Sequence, residues 1–206
     1  MSTEARVESR ERFAESVRGK TVALVGGAES LLYRGDGESI DACEVVVRVN
    51  WPRDASHVAE RTGVRTDWHY RAGGMKEEGP DILRKSVSVA RELRKEANTT
   101  RTPRTGVIAL AEILQYDPIS VYVAGFDLYR SAHSVMPRRR AQECGGHDNR
   151  IDYRLLTRLC ADPRVFPDAV LQEALELPAM TEAEVQDVHI QEALGLRSGD
   201  KREHPP

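Results

Sequence analysis

Two short apolar runs that stop at turn-forming residues constrain the fold of this chain more than any other feature. Thr21–Val25 ends at Gly26-Gly27, and Glu44–Val49 ends at Asn50-Trp51-Pro52. Runs of this length, rich in β-branched residues and bounded by turn signals, suit strands buried on both faces. Between them lie Gly35-Asp36-Gly37 and Ile40-Asp41. Two strand ends that deliver polar groups to one edge of a sheet are what a nucleotide pocket needs.

The remaining pattern alternates strands with helices. Residues 3–19 are charged, with Val7, Phe13, Ala14 and Val17 near helical spacing, and predict an amphipathic helix lying on the domain. Val64–Tyr70 predicts a weaker third strand with Trp68 and Tyr70 on one face. Residues 76–97 predict one surface helix. Asn98–Arg104 reads as a polar loop, and Thr105-Gly106 opens a buried helix over Val107–Leu114. Ile119–Ala124 predicts another buried strand, ended by Gly125-Phe126-Asp127. Residues 127–146 lack a period and suggest a functional loop or lid. Asp148–Leu159 predicts a helix, Arg164–Phe166 a last short strand, and 181–194 a terminal helix before a disordered end at 198–206. The expected fold is an α/β sandwich with a mostly parallel sheet. The expected organisation is an N-terminal helix (1–19), one nucleotide-binding catalytic domain (20–177) and a C-terminal helix and tail (178–206).

The formal net charge of −3 over 206 residues gives no footprint for nucleic acid. No apolar stretch reaches the length of a bilayer span. Cys43, Cys144 and Cys160 are odd in number and irregular in spacing, which fits a reducing cytoplasm better than a disulfide framework.

Several residues carry candidate chemistry, each with an ordinary structural reading beside it. Glycines after a strand let the backbone turn and bring amides toward a phosphate, but the same turn is plain in many sheets. Gly26-Gly27-Ala28-Glu29-Ser30-Leu31 lacks the third glycine of a dinucleotide fingerprint, and the chain has no Gly-Lys-Ser/Thr loop. Asn50 can bond a ribose hydroxyl or phosphate, or simply shape a turn. Thr105-Gly106 offers a hydroxyl and close amides, or an ordinary helix start. His147, after two glycines at a helix start, suits a general base near neutral pH, with Asp152 five residues later placed to anchor the loop or a neighbouring helix. The alternative is a capped helix with an exposed histidine. His133 offers a second imidazole or a surface residue beside Arg138-Arg139-Arg140. A zinc site drawn from Cys144, His147, Cys160 and His133 matches no common ligand spacing.

Taken in order, these pieces resemble the sialylmotifs of glycosyltransferase family 29, the sialyltransferases. Val25-Gly26-Gly27, Gly37-Glu38-Ser39-Ile40-Asp41 and Val46-Val47-Arg48-Val49-Asn50-Trp51-Pro52 are similar to the large motif. Gly63-Val64-Arg65-Thr66-Asp67 is similar to the Gly-x-x-Thr-Asp that follows it. Pro103-Arg104-Thr105-Gly106 and Val121–Phe126 resemble the two ends of the small motif, and His147 through Asp152 the very small motif. The match spans roughly residues 20–167.

The resemblance implies a Rossmann-like three-layer sandwich and an inverting, metal-independent transfer from a CMP-linked or other nucleotide-linked sugar, with no cofactor. It implies His147 as the base, His133 as the group at the departing phosphate, and Asp152 beside them. It implies nucleotide contacts from Gly26, Gly27, Ser30, Arg48, Asn50, Thr105, Gly106 and Gly125. Gly27 stands where the family has a nucleotide-binding Asn, Arg104 where it has Ser, and Asp152 where it has Glu. Val22 takes the place of the first cysteine of the family's stapling pair, in keeping with a cytoplasmic location. The short segment between the main motifs points to a small-molecule acceptor or water, with no membrane or nucleic-acid partner and a homodimer as the candidate assembly. A nucleotide or nucleotide-sugar hydrolase, such as a CMP N-glycosidase, and a non-catalytic nucleotide-binding module are the alternatives.

Overall fold

The computed structural model of this chain describes residues 3–51, 58–72, 79–128, 130–131, 148–181 and 184. Their elements run α1 (Thr3–Val17), β1 (Thr21–Val25), α2 (Ser30–Arg34), α3 (Gly37–Asp41), β2 (Val45–Val49), α4 (Ala59–Thr62), β3 (Trp68–Arg71) and β4 (Ile82–Arg84). They continue with α5 (Val87–Glu96), α6 (Thr105–Gln115), β5 (Ser120–Ala124), α7 (Asn149–Cys160), β6 (Val165–Pro167) and α8 (Ala169–Glu176). The strands form one sheet in the order β4-β3-β2-β1-β5-β6, and every neighbouring pair is parallel. The fold is α/β and Rossmann-like, with helices on both faces.

Strand periodicity divides the core. Val22 and Leu24 of β1 join Val45, Val47 and Val49 of β2 and the apolar sides of α1, α5, α6 and α7. Ala23, Val25 and Val46 face the other way, onto Leu31 and Ile40. The alternation of side chains along a strand is what lets one short run serve both layers. α6 is buried over nearly its whole length, from Thr105 to Ile113, as its apolar sequence requires.

α1 covers the β4 edge of the sheet. Arg10 and Arg12 donate from their Nη2 atoms to the carbonyls of Arg84 (2.5 Å) and Pro80 (3.1 Å), satisfying groups that an open edge would leave available. Phe13 packs edge-on against Trp68 and Tyr116, with ring centroids 5.2 Å and 5.8 Å away. Val7, counted in the apolar stripe, is instead exposed.

The single surface helix expected over 76–97 is replaced by a strand and a shorter helix. Ile82 and Leu83 are buried in β4, and the Ser86 hydroxyl accepts from the Val89 amide to start α5. Charges around 84–85 mask this break, because the strand has only three residues and no visible alternation. The third strand begins at Trp68 rather than Val64, and α8 was not anticipated. The lid expected over 127–146 and the helix over 181–194 fall almost wholly outside the described residues.

Candidate functional site

The strand order reverses between β1 and β5: β2 to β4 extend one way from β1, and β5 and β6 the other. In parallel α/β sheets, ligands bind at the carboxyl ends of the strands at such a switch point. Gly26 follows β1 there and Gly125 follows β5. A Cβ on Gly26 would lie 2.2 Å from the Gly125 carbonyl oxygen, so the two backbones touch as only glycines permit. Gly125 also has φ +73°, the left-handed region. The Gly26 amide donates to Ala124 O and the Ala28 amide to Gly125 O, so the two strand ends form one stiff floor.

Asn50 follows β2 on the same edge, with φ +57°. Its Oδ1 accepts from the Ala72 amide at 2.9 Å, and its own amide donates to Tyr70 O, which ties the ends of β2 and β3. Arg48, on the α2–α4 side of the sheet, is buried. Its Nε donates to Arg65 O and Thr66 Oγ1, and Nη2 to Thr62 O and Gly63 O. Asp41 accepts from the Val64 and Arg65 amides, and Asp67 from the Val46 amide. The described contacts of Arg48, Asp41, Thr66 and Asp67 therefore build the β2–β3 crossover. Burial pulls the Arg48 guanidinium down to about 10, with Asp41 opposing.

α6 begins on this edge too. A Cβ on Gly106 would lie 2.2 Å from the Phe126 ring, so the absent side chain lets the helix start pack on the β5 exit. The starts of α5, α7 and α8 are each capped by a side chain: Ser86 takes the Val89 amide, Asp148 that of Arg150, and Asp168 that of Leu171. At α6 the N-cap residue is Arg104, whose side chain makes no cap bond. A long side chain of donors cannot accept from the first-turn amides. The dipole at this helix start favours a negative group, and the Asp152 carboxylate lies beside it.

Arg104 turns instead to α7. Its backbone N–H donates to Asp152 Oδ1 at 3.0 Å, its Nε lies 3.7 Å from Asp152 Oδ2, and its Nη1 donates to Asn149 Oδ1 at 3.4 Å. Both Arg104 and Asp152 are buried. Asp152 therefore anchors the start of α6 to the start of α7. Asn149 extends the link, donating to Leu128 O and Met180 O. Ser30, at the start of α2, meets the β5 exit: its amide donates to Ser131 Oγ and its hydroxyl to Asp127 Oδ2.

The structure thus gathers Gly26, Ser30, Asn50, Thr105, Gly106 and Gly125 along one sheet edge. Gly27 continues the β1 exit. His133 and His147 lie outside the described residues, as does Cys144. Cys160, in α7, is a half-buried thiol that burial pushes up to about 11. Sequence reasoning missed Trp51, whose indole bonds Gly26 O, and Asp168, whose carboxylate bonds the Gly125 amide. Trp51 was legible only as part of a turn, and Asp168 carried no local signal beyond a position before a helix.

A parallel sheet whose strand order reverses between β1 and β5 defines a doubly wound α/β fold. Among solved structures, a mammalian sialyltransferase in complex with Gal-β-1-3GalNAc-ortho-nitrophenol is similar at 14% identity, covering 78% of each chain with a TM-score of 0.54. A second structure of a mammalian sialyltransferase gives a TM-score of 0.53, also at 14% identity and 78% of each chain. The chain has the fold of these sialyltransferases. No sequence-family model matches it, and no curated protein matches it by sequence. Among the described residues, no helix is long and apolar enough to cross a membrane.

Proposed function

We propose that this chain is a sialyltransferase-like glycosyltransferase that takes its sugar from a CMP-linked donor. The observation that carries the reading is the start of α6, whose N-cap residue makes no side-chain cap bond and which packs on the β5 exit beside the switch point. The donor phosphate lies over the α6 amides and the Thr105 hydroxyl, as anions lie at helix N-termini. The cytidine moiety runs along the floor of Gly26 and Gly125 toward Asn50. Arg48 serves this pocket from below, since its guanidinium stacks 4.6 Å from the Trp51 ring centroid and so steadies the β2 exit.

In the proposed reaction an acceptor hydroxyl attacks the anomeric carbon with inversion, and the bond from that carbon to the CMP phosphate oxygen breaks. His147 takes the hydroxyl proton, and His133 donates to the departing phosphate. Asp152, through Arg104, keeps the two helix starts in register and so places the base relative to the amides. The chemistry assigned to these groups needs neither metal nor cofactor. The unit that performs it is residues 20–177, a cytoplasmic domain in this reading, and its acceptor is a small molecule. The sialylmotif pattern and the shared fold support the class; the lost Asn at position 27 bears on the donor.

The test is to incubate the protein with CMP-sugars, with and without acceptor hydroxyls, and to follow release of CMP. Acceptor-dependent release that His147→Ala abolishes is the expected result. Release without acceptor would replace transfer by hydrolysis. Turnover that persists in His147→Ala would remove the assigned base, and CMP binding unchanged in the Asn50→Ala/Thr105→Ala double variant would remove the pocket.

A further inference from the structure

We propose that Asp168 is a positioning residue for the nucleotide crevice, holding the Gly125 peptide in the orientation that lets it form the floor with Gly26. The inference rests on the nucleotide-binding reading above. Asp168 sits between β6 and α8 and is buried. Its Oδ2 accepts from the Gly125 amide at 2.9 Å, and its Oδ1 from the Leu171 amide at 2.7 Å. Its own amide donates to Val123 O, so its backbone is registered on β5 two residues before the glycine it holds.

Helix capping alone does not explain a carboxylate here. Ser86 caps α5 with a single hydroxyl, and a hydroxyl or a carboxamide caps a helix about as well as a carboxylate does. Burying a carboxylate costs free energy that a neutral cap avoids. Burial raises the Asp168 carboxyl above its usual range, the Leu171 and Gly125 amides pull it back, Asp36 raises it and Arg34 lowers it. What a carboxylate supplies that a hydroxyl cannot is two acceptors aimed in different directions. One takes the helix; the other takes Gly125.

The second bond matters because the Gly125 peptide is under constraint from every side. Its φ is +73°, and a Cβ there would lie 2.8 Å from Gly26 O. Its carbonyl accepts from the Ala28 amide, and Gly26 O in turn accepts from Trp51. The Gly125 N–H shares its peptide with Ala124 O, which the Gly26 amide holds; loss of the Asp168 bond leaves that peptide fixed at its carbonyl alone and takes the acceptor from its N–H. The floor under the nucleotide then changes while the sheet remains intact.

Asp168→Asn separates the two roles. An asparagine keeps Oδ1 on the Leu171 amide, so α8 stays capped, but it turns an NH2 toward the Gly125 N–H, donor against donor. Asp168→Ser likewise keeps a cap and removes the second acceptor. On the full-length protein, the readouts are the Gly125 amide resonance, the urea unfolding midpoint and the affinity for CMP by calorimetry. The Gly125 proton is expected to move upfield on losing a charge-assisted bond. CMP affinity is expected to fall about tenfold in both variants, with the urea midpoint lowered by the stranded Gly125 N–H but the transition still cooperative. With a CMP-sugar donor, KM rises while kcat changes less than about threefold. Wild-type CMP affinity in the variants, with the Gly125 resonance shifted, would leave Asp168 a helix cap and overturn the inference alone. A wild-type protein that does not bind CMP would remove the nucleotide reading and this inference with it. If neither variant folds, Asp168 is a residue of the fold and the positioning role is lost.

Discussion

The indole nitrogen of Trp51 lies 2.8 Å from the carbonyl oxygen of Gly26 and donates to it, which joins the end of β2 to the end of β1 where the crevice opens. The ring is buried at 1% exposure, under the Arg48 guanidinium. Neither partner has water to fall back on, so the bond is costly to lose.

Trp51→Phe keeps an aromatic ring but strands the Gly26 carbonyl. An unsatisfied buried acceptor costs about 1–3 kcal/mol, and the smaller ring adds a void. The expected result is a lower urea midpoint of that size together with weaker CMP binding, because the floor itself is loosened. A loss below about 0.5 kcal/mol, the usual scatter of surface substitutions, would show that the bond contributes little.

The glycines of the floor differ in what a methyl group would meet. At Gly26 the nearest atom is backbone, Gly125 O at 2.2 Å; at Gly106 it is the Phe126 ring, also at 2.2 Å. A ring can swing aside and a paired strand end cannot. Gly26→Ala is therefore expected to be the more damaging, beyond the roughly 1–3 kcal/mol typical of overpacking, and Gly106→Ala to fall within that range. Paired denaturation curves decide the order, and equal losses would mean that Phe126 is as fixed as the sheet.

The sheet was readable because its inner strands are buried on both faces: TVALV and VVVRV admit no amphipathic alternative. β4 was not, since three residues beside charged neighbours show no period. In the site, glycines at strand ends announce themselves by type. Trp51 and Asp168 do not, because each acts through a backbone group remote in sequence. The Arg104–Asp152 contact illustrates the same limit. The spacing at 147–152 suggested an anchor, but only the packing of α6 on α7 shows what it holds.

That anchor is a buried ion pair, and its two ends are not equivalent to their replacements. Removing one partner of such a pair leaves a charge without its counterpart and costs about 3–5 kcal/mol. Arg104→Ser, which installs the residue of the resembled family, is expected to destabilise by this order, and so is Asp152→Leu. Against the singles Arg104→Met and Asp152→Leu, the double variant Arg104→Met/Asp152→Leu should recover the part of the loss that comes from charge, but not the bond from the Arg104 backbone N–H to Asp152. A double-mutant cycle in urea measures the coupling, and strictly additive losses would refute the pairing.

Alkaline stability follows from the tyrosines around Glu112 and at the sheet's other face. Tyr70 donates to Glu112 Oε2 at 2.5 Å and Tyr116 to Oε1 at 2.9 Å, while the Arg10 guanidinium meets the same carboxylate at 3.0 Å. Burial first, then the Glu112 charge, pushes both phenols above their usual value. Tyr122 is raised by burial, and then by Asp36 and Asp168. A phenol whose folded pKa is raised contributes stability that is complete below its unfolded value near 10 and is lost as pH climbs through the folded value. Unfolding free energy should therefore hold steady up to about pH 9 and fall progressively above about pH 10. In the native protein, absorbance at 295 nm should show Tyr70, Tyr116 and Tyr122 ionising later than in urea, with Tyr33, raised by partial burial and by Glu29, joining them. Coincident titration curves in native and denatured protein, with the fold intact, would contradict this account. Tyr70→Phe should move the late phase of the native curve by one phenol and leave Glu112 with Tyr116 and Arg10 as its partners.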